Sequence, residues 1–146
     1  MNGQRGMTLI ELLATLAVLA IALGVMAMNL LPVASPVDTS TALLEGIFRE
    51  ARLNAIATMS SYRVTPSGTN RIVGEKGASC SATTWTADAS LATALPTGVT
   101  MSPTSWSVCF SSRGISTNNV IVTLAHTTYG SRRVEVLFGG TSRVLP

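Results

Sequence analysis

The chain has 146 residues, of which 47% are apolar and 12% charged, and its net charge is +3. That length holds one domain, and the balance is too apolar for an ordinary soluble domain of this size, so part of the chain is expected in a membrane. With two cysteines and one histidine, Cys80, Cys109 and His126, the chain lacks the side chains of a four-ligand metal site.

Residues 1–6 form a short polar leader carrying Arg5, and the run Met7-Thr8-Leu9-Ile10-Glu11-Leu12-Leu13 follows it. After Glu11 no further charge appears until Asp38. About twenty residues from Leu12 onward, at a rise of about 1.5 Å each, span roughly 30 Å, the thickness of a bilayer core. Because the leader is positive, it is expected to stay in the cytoplasm while the C-terminus is exported. Hydropathy alone is met by a plain N-terminal anchor. Glu11 is harder to place there, since a carboxylate in a spanning helix is costly and usually has a partner. The nearest candidate is an α-amino group made by cutting after Gly6, on Met7 of a neighbouring, staggered copy.

The stretch Gly6-Met7-Thr8-Leu9-Ile10-Glu11-Leu12-Leu13 closely resembles the processing site of type IV prepilins and type II secretion pseudopilins. Met7 stands where that family usually has Phe. The resemblance implies cleavage between Gly6 and Met7 by a prepilin peptidase and N-methylation of Met7. It also implies assembly through an inner-membrane platform into a filament, with Glu11 facing the Met7 amine of the next pilin subunit. The expected segments are the leader 1–6, a transmembrane and polymerisation helix 7–31, an amphipathic second half of that helix 32–60, and an exported β-sheet domain 61–146.

Pro32 and Pro36 end the apolar stretch, marking a bend in the helix or a simple linker. Thr39, Ser40 and Thr41 offer N-caps to the second helical stretch. Leu44, Ile47, Phe48, Ala51, Ala55 and Met59 recur at helical spacing and predict a core-facing stripe. Glu45, Arg49 and Arg52 fall away from it, with Glu45 placed to pair with Arg49 one turn on. The stretch from Phe48 to Ala57 resembles the Ala-Arg…Ala-Ile pattern of H-type pseudopilins and FimT-like minor pilins.

From Ser61 the periodicity becomes alternating, and strands are expected at 61–65, 70–74, 98–101, 105–111, 119–125 and 132–138, with a short last one near Arg143. Asn118-Asn119 and Tyr129-Gly130-Ser131 read as hairpin turns. Residues 79–96, rich in Ser, Thr and Ala, read as an irregular loop. A lone cysteine pair in an exported region predicts a Cys80–Cys109 disulfide. Trp85 and Trp106 read as packing residues. The run Val108-Cys109-Phe110-Ser111-Ser112-Arg113-Gly114, followed by two strands and Gly139-Gly140-Thr141-Ser142-Arg143-Val144, again resembles the H-type and FimT group.

No catalytic constellation, phosphate-binding glycine loop or cofactor motif appears. From Ser61 onward seven basic residues face three acidic ones, a local charge of +4. Some FimT-like minor pilins bind DNA in natural transformation through basic residues near the C-terminus, which makes Arg132, Arg133 and Arg143 candidates here, with Arg113 and Lys76 as additions. Neighbouring strand residues point to opposite faces, which separates Arg132 from Arg133 if both lie in a strand. The expected fold is therefore α+β, a long N-terminal helix packed on a C-terminal antiparallel sheet. The expected role is that of a minor pilin or pseudopilin, not an enzyme, in a type IV pilus or a type II secretion pseudopilus. The alternatives are a DNA-binding minor pilin and a monomeric membrane-anchored adhesin.

Overall fold

The computed structural model describes residues 8–30 and 35–145. The leader, Met7, Pro32 and Pro146 lie outside the described residues, so the expected cleavage site does too. The described residues fall into two compact units, 8–30 and 35–145.

The first unit holds helix α1, Leu9–Leu30. Glu11 is its first-turn acid, where the partial positive charge of a helix N-terminus favours it.

The second unit opens with helix α2, Pro36–Ala57. Its N-cap is Ser35, upstream of the three hydroxyl residues expected, and Ser35 Oγ accepts the Asp38 N–H at 3.1 Å. Pro36 thus opens this helix: at the first helical position its missing N–H costs nothing and its fixed φ is already helical. Ser40 and Thr41 instead donate their hydroxyls back to the carbonyls of Pro36 and Val37. The core-facing stripe holds for Leu44, Ile47, Phe48, Ala51 and Ala55. It fails at Met59, which lies beyond the last turn in the left-handed region (φ 49°) and is exposed.

Eight strands follow among the described residues: β1 Ser61–Pro66, β2 Arg71–Gly77, β3 Thr86–Ala94, β4 Val99–Ser102, β5 Val108–Phe110, β6 Val120–His126, β7 Gly130–Val136 and β8 Ser142–Leu145. Where one sheet was expected there are two, each antiparallel and four-stranded, in the orders β3-β2-β1-β5 and β4-β6-β7-β8. Strand β3 occupies much of the stretch read as irregular. Its four alanines and Asp88 disfavour a strand, and pairing with β2 makes it one. Leu91 is its fully buried anchor, and it packs where Gly74 on β2 leaves room: a Cβ at Gly74 would collide with Leu91 Cβ. Asn118 and Asn119 join no hairpin. They carry the chain from the first sheet to the second, and Asn118 Nδ2 donates to the Ser107 carbonyl at 2.8 Å.

One core unites α2 and both sheets. Phe48 sits at its centre, 1% exposed, with its ring 5.8 Å from Trp106 in edge contact and 6.4 Å from Phe110. Ala51 and Ala55, both fully buried, let strands approach the helix closely. The Cys80–Cys109 disulfide, with Cα atoms 5.8 Å apart, ties the segment after β2 to the edge strand β5.

Candidate functional site

Helix α1 is apolar on every side. Leu9, Ile10, Leu13, Val18 and Ile21 are all more than half exposed. A helix of this kind is stable only when other helices or lipid cover it. Its N-terminus is closed by Thr8, whose carbonyl accepts the N–H groups of Glu11 and Leu12 at 3.1 Å. Glu11, Ala14, Thr15, Val18, Leu19 and Ala22 line one shallow stripe. Their spacing of three and four residues places them on one face. Small side chains there leave the backbone open to close approach by another helix, with a carboxylate at one end. Among the described residues no helix is long and apolar enough to cross a membrane. The side chains of α1 are described without a break over 9–24, a span of roughly 24 Å against a bilayer core of roughly 30 Å.

The five basic residues singled out in the C-terminal half do not gather on one surface. Arg132, on the α2-facing side of β7, reaches Asp38 with Nε 3.2 Å from Oδ1. Arg133 points to the opposite face with Glu135. Arg143 donates to Glu135 Oε2 from Nε at 2.6 Å, and Asn119 Nδ2 donates to Oε1 at 3.2 Å. Those two bonds hold the Glu135 carboxyl below its ordinary range, Arg143 more strongly than Asn119. Lys76 is in the other sheet, 5.9 Å above the Tyr62 ring, and Arg113 sits in the turn after β5.

Both tryptophans are structural. Trp85 donates Nε1–H to the Ala82 carbonyl, and the Arg63 guanidinium stacks 4.2 Å from its ring centre while Nε bonds Glu75 at 3.0 Å. His126, the last residue of β6, accepts the Thr128 N–H on Nδ1 and packs edge-on against Tyr129, so it braces the turn into β7.

Two arginines that sequence reasoning set aside form a cluster of their own. Arg49 and Arg52 line a cavity of about 140 Å³ with Gly140, Thr141 and Ser142. The expected Glu45–Arg49 ion pair is absent among the described residues. Nothing local in the sequence signals this cluster, because its halves lie some ninety positions apart.

Residues 1–27 match the prokaryotic N-terminal methylation motif. No curated protein matches the chain at a significant level. Among solved structures, the minor pseudopilin EpsH of the Vibrio cholerae type 2 secretion system superposes with a TM-score of 0.59 at 16% identity, over 76% of this chain and 97% of that one. The Pseudomonas aeruginosa type IV minor pilin FimU superposes in two crystal forms. One gives a TM-score of 0.54 at 12% identity, over 75% of this chain and 88% of that one. The other gives 0.56 at 13%, over 74% and 91%. This is the type IV pilin fold. The pilin-like chain therefore joins that fold to an N-terminal methylation motif.

Proposed function

We propose that the chain is a minor pilin or pseudopilin, a structural subunit that primes or caps a type IV pilus or a type II secretion pseudopilus. The observation that carries this reading is Glu11, a lone carboxylate in the first turn of an otherwise apolar, outward-facing α1, inside the methylation motif. In the proposed sequence of events, a prepilin peptidase cuts between Gly6 and Met7 and Met7 is N-methylated. The 7–31 segment holds the subunit in the inner membrane, with residues beyond it exported. An assembly platform then moves it into a helical array of pilin subunits, where Glu11 meets the Met7 amine of an adjacent one. A head-to-tail contact of this kind builds an open helical polymer.

Mass spectrometry of the protein isolated from its native cell tests the first step. The expected mass lacks residues 1–6 and gains one methyl group, and a Gly6 substitution leaves the leader attached. A monomeric membrane-anchored adhesin predicts the reverse: an intact leader in mature material, and no dependence on Gly6.

A further inference from the structure

The cavity between α2 and the β7–β8 turn is built like an oxyanion site. Two turns converge there on Arg52, each through a glycine in the left-handed region, Gly114 (φ 72°) and Gly140 (φ 77°). A Cβ at Gly140 would strike the Gly114 carbonyl oxygen and come within 3.3 Å of Arg52 Nε, and one at Gly114 would come within 3.1 Å of the same atom. Arg52 Nε therefore lies against the bare backbone of both turns, and the side chain is half-buried there. The Gly140 turn is itself fixed by the Leu137 N–H bond to the Thr141 carbonyl at 2.9 Å and the Gly140 N–H bond to the Leu137 carbonyl at 2.8 Å.

Arg49 joins Arg52 one helical turn away, and Thr141 and Ser142, both hydroxyl residues, complete the same lining. Neither arginine has an ion-pair partner among the described residues, although Glu45 and Glu50 lie on the same helix. Two uncompensated guanidinium groups with two hydroxyl donors beside them attract an anion. Guanidinium forks match the oxygens of carboxylate and phosphate. Charge separates the two: a phosphate monoester carries about −2 near neutrality, equal and opposite to the pair of arginines, and offers three oxygens. The cavity, at about 140 Å³, is several times a water's share of liquid, about 30 Å³, and so has room for a phosphate group.

The geometry points to a binding site for a dianionic phosphate group, held by Arg49 and Arg52 and by the hydroxyls of Thr141 and Ser142. It is independent of the assembly helix, since every residue in it lies in the second unit. The ligand is free phosphate or the terminal phosphate of a nucleic-acid strand, which present the same chemistry.

The test uses the full chain in nonionic detergent, titrated with inorganic phosphate and followed by NMR at the backbone amides and arginine side chains. Phosphate is expected to move the signals of Arg49, Arg52, Thr141 and Ser142, while acetate at matched ionic strength leaves them in place. R49Q and R52Q each weaken binding about tenfold or more, as for loss of a charged hydrogen bond, and R52K recovers part of it. A 5′-phosphorylated oligonucleotide and its unphosphorylated twin identify the source. Tighter binding of the phosphorylated strand than of phosphate assigns the site to strand ends, and binding of phosphate alone assigns it to the free ion. Equal shifts with acetate, or undiminished phosphate binding by the R49Q/R52Q double variant, overturn the proposal.

Discussion

Arg132 Nε lies 3.2 Å from Asp38 Oδ1, joining β7 to the first turn of α2 across 94 residues of sequence. The same carboxylate accepts the Ser35 hydroxyl at 2.7 Å, while Ser35 Oγ takes the Asp38 N–H. One acid therefore completes the helix cap and also binds the helix start to the second sheet. Both partners are about half exposed, so the ion pair by itself is weak. Its value is positional: it fixes where α2 begins against the strands it covers.

That arrangement makes stability depend on acid. The Ser35 hydrogen bond first, and Arg132 second, hold the Asp38 carboxyl below its ordinary 3.8. Glu135 is likewise held below 4.5, by Arg143 first and Asn119 second. Folded values below unfolded ones mean that the stabilisation is complete above the ordinary values and drains away as pH falls through the lowered ones. The thermal midpoint of the wild type should thus be flat near neutrality and fall below about pH 4. D38N and E135Q should each start lower and fall less steeply across that window. An acid limb identical in all three proteins would mean that these carboxyls are not the ones titrating.

At the opposite edge of the domain, the pairing of β3 with β2 depends on Gly74 having no side chain. The register shifts between Ile72 and Gly74, and Leu91 packs against the bare backbone there. G74A forces the fully buried Leu91 out of its site or moves the strand. Overpacking of this kind costs about 1–3 kcal/mol. The measurable signature is local: hydrogen exchange should quicken in β3 far more than in β6 and β7. Shortening the obstructing side chain with L91A in the G74A background should restore the pairing in part.

Reduction of Cys80–Cys109 is expected to lower stability by about 3–4 kcal/mol in the chain-entropy account, given a separation of 29 residues. The bridge anchors the three-residue strand β5, so β5 and its partner β1 should lose order first. Denaturant unfolding with and without reductant measures the difference. A denaturation midpoint that reductant leaves unchanged would show that the pairing on β5 persists without the bridge.

The two ends of the chain differ in how far their sequence announces them. Glu11 is conspicuous because it is the single charge in a long apolar run, and the alternation in β6 and β7 is plain because Val122, Leu124, Val134 and Val136 all face one core. Strand β3 is hidden in the sequence because only Leu91 in it is fully buried and its alanines and Asp88 argue against a strand. Ser35 does not stand out as a cap, because Pro36 after it reads as the end of the apolar stretch when it is the first residue of α2. Division into two sheets leaves no local mark, since the chain passes between them after β3, after β4 and after β5, and only the pairing of strands distant in sequence assigns each to its sheet. Arg49 and Arg52 belong to the same class of hidden feature: on α2 they read as a solvated face, and only the folded β7–β8 turn makes them a cavity.

Glu11 offers the sharpest separation between insertion and assembly. A carboxylate in an apolar helix opposes burial in lipid, so replacing it with alanine makes α1 a better membrane segment. E11A should therefore be made, inserted and trimmed of residues 1–6 as well as the wild type. If the carboxylate meets the amine of an adjacent subunit, the variant then accumulates in the membrane fraction and is missing from sheared or purified filaments. E11D, with the same charge on a shorter arm, should enter filaments at a reduced level, and E11Q, which keeps the shape without the charge, should behave like E11A. Equal incorporation of E11Q and wild type would remove electrostatic pairing from the contact and leave helix packing along the Ala14, Val18 and Ala22 stripe as its basis.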